Sequence, residues 1–321
     1  MYRGRDYYKH YHVIFNDTHG GCKVGMMPLD LVLEDEMGDL WHPEPTESQR
    51  LIDEVYKQGI QFTMELANGY PVYVHHVGDI THGTKHPDSE LVSTRMSDHV
   101  LIGEGNMIPW LEHDNVKYLG LYTGTGSHEF GQGSSTIVVA NMLRRDARWK
   151  DKDIRTVSHA LVKKGGLYFD MAHHGPGPGI RKWLKGNVLR LYVKDIQMRA
   201  VAQGAVVPDV ITRAHFHRYV PETVVYRANG KTYTTYAFIV PSFSFITDYS
   251  RKVAKSPSHV TLGFIVIEVI RGVITRVFDE PPLIQTFDLR KEIDLDADRE
   301  PQEQDIGRGD GNGGNEEEAG S

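Results

Sequence analysis

The chain has 321 residues, 40% of them hydrophobic and 25% charged, with 17 histidines and a single cysteine, Cys22. No apolar run is long enough to cross a bilayer, which speaks against a membrane partner, and one cysteine excludes an internal disulfide; with no secretory pattern near the N-terminus, a cytoplasmic location is expected. The net charge of -7 is concentrated at one end, because residues 292–321 hold 11 acidic and 2 basic side chains, so the rest is nearly neutral and lacks the basic excess usual in nucleic-acid binders.

Residues 10–17 (HYHVIFND) are short, apolar and rich in β-formers, and predict a buried strand. Residues 20–45 mix Gly, Pro and charge and predict a long loop. Residues 47–67 predict a helix capped by Thr46, with Leu51, Val55, Ile60 and Met64 on one face and Gly59 as its weak point. The next strand is expected over 70–77, a helix over 91–112 with a break near Gly103 and Gly105, a third strand over 116–122 and a helix over 135–148. In the second half, strands 154–162 and 167–172 flank a hairpin turn at Lys163-Lys164-Gly165-Gly166. A helix over 180–202 and a short strand over 208–214 follow. Two more hairpins are expected, at Asn229-Gly230 between 223–227 and 232–240, and at Arg271-Gly272 between 260–270 and 273–278. Alternating strands and helices, then mostly strands, predict an α/β fold of two facing sheets with helices outside. The expected organisation is a single domain over 1–291 and a disordered acidic tail over 292–321.

The histidines gather at the ends of these strands. The first ends in Asp17-Thr18-His19; residues two apart share a face, so both could reach one ion. The second ends in Gly78-Asp79, where a carboxylate could serve two cations. The third runs into Gly124-Thr125-Gly126-Ser127-His128-Glu129, and Glu129 could pair with His128. The strand over 167–172 delivers His173-His174, and the one over 208–214 delivers His215-Phe216-His217. Each cluster alone has an ordinary explanation as a turn or a surface pair. Five successive strand ends carrying Asp or His are what a metal site at the carboxyl edge of an α/β sheet requires. Arg181, Lys182 and Lys185, with Arg213 and Arg218, could steer an anionic substrate. Trp41, Trp110 and Trp183 could stack bases, although core packing is the ordinary reading.

The series Asp17-x-His19, Gly78-Asp79, Gly126-Ser127-His128-Glu129, His173 and His215-x-His217 resembles the calcineurin-like metallophosphoesterase superfamily over roughly residues 10 to 245. The resemblance implies a four-layer α/β/β/α sandwich of two mixed sheets with helices outside, and a dinuclear centre. By that resemblance Asp17, His19 and His217 hold one metal, Asp79 bridges, and His173 and His215 hold the other, with His174 competing for the place of His173. His128 would sit near the substrate phosphate and Glu129 would orient it. Ser127 stands where the family has a metal-ligating Asn, and Ala214 where it has Gly.

The implied chemistry is hydrolysis of phosphate esters, monoester or diester, by a hydroxide bridging two divalent cations. Mixed Asp/His ligation suits Mn, Fe, Zn, Ni or Co, with Mn favoured. A phosphate-ester substrate is expected, and nucleic acid is possible. The alternatives are a metal-dependent nuclease acting on DNA or RNA and a metal-binding scaffold without turnover, which the Ser127 departure favours. The sequence leaves the oligomeric state open.

Overall fold

Hydrophobic period and turn chemistry set the elements, and the order of strands then decides which ends meet. The computed structural model describes residues 8–85, 90–131, 134–179, 185–253 and 258–290. β1 (Lys9–Phe15) is followed by the two-residue strands β2 (Leu33–Glu34) and β3 (Leu40–Trp41), which pair inside the expected long loop. Next come α1 (Glu47–Ala67), β4 (Val72–His76), α2 (Met96–Leu111), β5 (Val116–Tyr122) and α3 (Ser134–Arg145). The second half runs β6 (Asp153–Val157), β7 (His159–Lys164), β8 (Leu167–Ala172), α4 (Asn187–Ala202), β9 (Val210–Arg213), β10 (Val220–Ala228) and β11 (Lys231–Ile239). It closes with α5 (Asp248–Val253), β12 (His259–Gly263), β13 (Ile265–Ile270), β14 (Val273–Phe278) and β15 (Ile284–Asp288). The chain up to Leu289 packs as one unit. The expected acidic tail, Arg181, Lys182, Trp183 and the start of the helix expected over 180–202 lie outside the described residues.

The fold is mixed α/β, with a six-stranded sheet in the order β14-β13-β1-β4-β5-β6 and a five-stranded sheet in the order β10-β11-β9-β8-β7. Strands β1, β4, β5 and β6 are parallel to their neighbours in that run, as are β8, β9 and β11. Parallel neighbours bring their carboxyl ends to the same edge, so the segments after β1, β4 and β5 emerge together, as do those after β8 and β9.

Burial follows the alternation of a strand. Tyr11, Val13 and Phe15 point to one face of β1 and pack with Ile52, Val55, Trp110 and Val139 from the helices. Ile14 points to the other face and joins Val77, Tyr122, Phe169, Met171, Val210 and Phe238, a cluster drawn from both large sheets. A third cluster sets Leu189 and Val193 of α4 against Ile211, Val220 and Ile239.

Local expectations meet the structure in instructive ways. Thr46 caps α1 in a reciprocal box with Gln49, and the three hairpins turn at Gly165-Gly166, Asn229-Gly230 and Arg271-Gly272. Gly59 is not a weak point: a Cβ there would lie 2.4 Å from the Phe264 ring, so its bareness admits that side chain. Helix α2 runs unbroken through Gly103 and Gly105, and a Cβ at Gly105 would meet the Pro28 ring at 2.8 Å. The strand expected over 154–162 is two strands, because the chain leaves the six-stranded sheet after Val157 and enters the five-stranded sheet at His159. Among the described residues no helix is long and apolar enough to cross a membrane.

Candidate metal centre

The strand ends converge. Backbone hydrogen bonds from Asp17 N to Gly78 O and from His19 N to Asp79 O, each 3.0 Å, lock the loop after β1 to the loop after β4. The Ala214 N–H donates to His173 O at 2.8 Å and so ties the loops after β8 and β9. The His215 N–H donates to Asp17 Oδ2 at 3.2 Å and joins the two sets. The backbone is strained where the side chains turn inward: Asp17 (φ 50°), His19 (φ 45°), Asp79 (φ 53°), His215 (φ 77°) and His217 (φ 50°) all adopt the left-handed region. That conformation costs a residue with a Cβ on the order of 1–3 kcal/mol and clusters at functional sites.

Asp17 is the centre of the first group. It is fully buried, and its Oδ2 accepts from His215 N and from Asn16 Nδ2. Its Oδ1 has no hydrogen-bond partner. Around that atom stand His19 Nε2 at 3.8 Å, His173 Nε2 at 3.9 Å and His217 Nε2 at 3.9 Å. These separations are too long for hydrogen bonds. They are what results when two ligands each sit about 2.0–2.2 Å from a shared ion.

The second group is built around Asp79 and His173. The His173 Nδ1–H donates to the Val77 carbonyl at 2.8 Å, which fixes the tautomer and turns Nε2 toward Asp79 Oδ2 at 3.1 Å. The ligand atoms of His173, His174 and His215 lie within 4.8 Å of one another, as do those of Asp17, Asp79 and His173. Two glycines make room. A Cβ on Gly124 would lie 1.9 Å from Asp79 Oδ1, and one on Gly78 (φ +100°) would lie 2.4 Å from His173 Nδ1. Such clusters, buried at Asp17, Asp79 and His173 and exposed at His174 and His215, could hold a metal ion.

Electrostatics favour the ligating forms of most imidazoles. Burial, with repulsion from neighbouring histidines, holds His19 well below its ordinary range and His215 and His217 at about 4. His173 goes the other way: burial opposes its charge, but Asp79 and Asp17 overcome that and raise it to about 9. The carboxylates part company. Burial pushes Asp17 up to about 8, with the charge of Asp79 adding to it. Burial would also raise Asp79, but the facing His173 holds it well below the usual carboxylate range.

His128 lies beside the first group, its ring centroid 4.6 Å from that of His19. Its Nδ1–H donates to the His82 carbonyl. Glu129 does not orient it. The Glu129 carboxylate accepts from Gly124 N (2.8 Å), Ser135 Oγ (2.8 Å), and Thr136 N (3.0 Å) and Oγ1, and so fastens the loop to the first turn of α3. Nor is Ser127 the hydroxyl at the second group: Thr125 Oγ1 lies 3.2 Å from Asp79 Oδ2. His82 is a member that sequence reasoning missed. It is buried, with its Nδ1 3.5 Å from His19 Nδ1, and His19, His82 and His128 form a further group of potential ligands. Its position three residues after Asp79 breaks the two-residue spacing by which the other pairs were read.

Arg213 is not available to steer a substrate. It is buried, paired with Asp170 at 2.9 Å and hydrogen-bonded to the Tyr192 hydroxyl at 2.8 Å. Arg218 follows His217 directly, and partial burial, with the nearby Arg218, lowers the Lys185 pKa. Trp110 belongs to the core.

No protein-family model matches the chain, and no curated protein matches it. Among solved structures, that of a protein of unknown function from Aquifex aeolicus is similar at 11% identity, over 65% of this chain and 80% of that chain, with a TM-score of 0.25. A score of that size carries no argument about fold or activity.

Proposed function

We propose that the chain hydrolyses phosphate esters at a centre of two divalent cations, held in a four-layer α/β/β/α sandwich. Asp17, His19 and His217 would hold one cation, His173 and His215 the other, and Asp79 both. One observation carries the reading: a fully buried carboxylate oxygen, Asp17 Oδ1, has no hydrogen-bond partner and faces three imidazole nitrogens at 3.8–3.9 Å. Leaving such an atom unpaired in the interior is costly; a cation shared with His19 and His217 would satisfy it, and His173 faces it from the side of the other cation. Bound divalent ions would supply Lewis acidity and an activated water at neutral pH.

The chain's own residues do the rest. The Val77 carbonyl keeps His173 Nε2 turned to the centre, and the His82 carbonyl holds the His128 ring beside His19. His128 is thereby placed to hand a proton to a leaving oxygen or to stabilise charge on the phosphate. Arg218, next to His217, and the neighbouring Lys185 would suit an anionic substrate, and the same pair would suit the nuclease alternative.

The test is turnover of chelator-stripped protein reloaded with Mn, Fe, Zn, Ni or Co. Nitrophenol release from the bis-ester or mono-ester, lost in Asp79→Asn, is the expected result. Cleavage of single-stranded DNA in preference to either ester assigns the nuclease. No turnover with any of these ions, despite tight binding, leaves a metal-binding scaffold and overturns the proposal.

A further inference from the structure

Three consecutive residues in the loop after β4 grip Ser127 and His128 in the loop after β5. Thr81 is fully buried, and its Oγ1–H donates to the His128 carbonyl at 2.6 Å, with Ser135 Oγ 2.8 Å away. The His82 carbonyl accepts the His128 Nδ1–H. Gly83, at a φ of +75°, lies bare against the Ser127 carbonyl, and a Cβ there would come within 2.5 Å of that oxygen. The gripping segment is itself mounted on the loop that carries His19. Gly20 N donates to Ile80 O at 3.0 Å, His82 N donates to Gly20 O at 2.9 Å, and Gly20 and Thr81 form a parallel bridge. His19 and His128 therefore share one support, and on it their ring centroids lie 4.6 Å apart.

We infer that Thr81 is a positioning residue, which sets where His128 stands relative to the cation at His19. The inference rests on the phosphoesterase reading above and deepens it. The Thr81 hydroxyl acts on the His128 main chain and carries the loop with it. Valine keeps the branched outline of threonine and removes the donor, so the His128 carbonyl loses its partner and the loop its place. A shift of about 1 Å in a reacting group can cost about 100-fold in rate. The proposed ligands have anchors of their own: Asp17 N on Gly78 O, His19 N on Asp79 O and His173 Nδ1 on Val77 O. Loss of the Thr81 hydroxyl therefore bears on rate and spares the metal.

The experiment is steady-state kinetics of the full chain loaded with Mn(II), on the nitrophenyl mono-ester or bis-ester that the wild type cleaves, with metal analysis and a thermal melt for each variant. Thr81→Val should lower kcat by about 10- to 100-fold while KM and metal content stay as in the wild type. Thr81→Ser, which keeps the donor and drops the methyl, should restore kcat. In a His128→Ala background Thr81→Val should cost nothing further, because the group it places is gone. Gly83→Ala presses on Ser127 from the other side and should act as Thr81→Val does, which serves if the valine variant fails to fold. Wild-type kcat in Thr81→Val, or an equal loss in the His128→Ala background, overturns the inference and leaves the phosphoesterase reading standing. So does loss of folding or of metal in both Thr81→Val and Gly83→Ala, which would make the segment a structural clasp only. A wild type that turns over neither ester nor single-stranded DNA with any of the five cations overturns that reading and this inference with it.

Discussion

The Nε2 atoms of His19 and His217 stand 3.3 Å apart across 198 positions of sequence. Both also flank the buried Oδ1 of Asp17. A hydrogen bond between the two rings satisfies one lone pair at most, whereas a cation satisfies both along with the carboxylate. The two rings come from loops on different sheets, so their approach depends on how β1 and β9 are placed against each other.

Roles within the centre separate by two measurements. Asp79→Asn should lower both metal content and turnover, the latter by about 100-fold or more, since it removes a charge from both groups. His128→Ala should keep its metal and lose about 10²–10⁴ in turnover. Metal loss in the His128 variant, or unchanged turnover in either, would remove the role assigned here.

Cation binding should stabilise the fold. An ion at about 100 times its dissociation constant adds roughly 2.7 kcal/mol when the unfolded chain does not bind it. Thermal melts with chelator and with Mn(II) are expected to differ by several degrees, and His217→Ala should narrow the gap. Coincident melts of the wild type would show that the buried cluster holds no ion.

Proton release should accompany metal binding. Without a cation, Asp79 and Asp17 raise the His173 pKa from an ordinary value near 6.5 to about 9. In that window the folded chain holds a proton that the unfolded chain has lost, so this contribution to stability is complete below about 6.5 and gone above about 9. A cation must displace the proton, so apparent Mn(II) affinity should rise with pH up to about 9. Calorimetry at pH 7.5 in buffers of different ionisation enthalpy should count more than one proton released, from His173 and from Asp17, which burial raises to about 8; affinity that is flat with pH would refute this.

Buried neutral histidines should make the chain acid-labile. His12 Nδ1 and His75 Nε2 lie 3.1 Å apart, and the His12 ring stacks on Phe169 with centroids 4.0 Å apart. Burial holds His75 at about 3 and His12 well below its ordinary range. The unfolded chain takes up these protons first, so their contribution is present above about 6.5 and drains away toward pH 3, at about 1.4 kcal/mol per pH unit for each group. His75→Gln keeps a hydrogen-bonding neighbour for His12 and removes one titration. Its stability, measured by urea unfolding in chelator, should fall less steeply over that range.

Glycine positions give a steric test. Gly124→Ala would drive a Cβ to 1.9 Å from Asp79 Oδ1 and 2.3 Å from Asp79 N, so it should abolish metal binding or folding. Gly126→Ala meets nothing nearer than Gly131 O at 3.5 Å and should bind metal as the wild type does. Equal metal content and equal melting temperature in the two variants would contradict the packing described.

Much of this was written locally. Thr46 and Gln49 start α1, Asn229-Gly230 turns β10 into β11, and Asp17, Asp79, His173 and His215 follow strands whose apolar runs mark them. Such features depend on neighbours along the chain, where periodicity and turn propensity act. What only the tertiary structure decided lies in contacts between distant segments. The split of the expected strand into β6 and β7 depends on which sheet each joins. Thr125 instead of Ser127 faces Asp79, Glu129 serves α3 instead of His128, and Arg213 turns inward to Asp170, because each partner comes from a segment distant in sequence or from the packing of a neighbouring element, which spacing does not encode. Residue types and their order come from one-dimensional patterns, whereas the direction of each side chain follows from the loops and sheets packed against it.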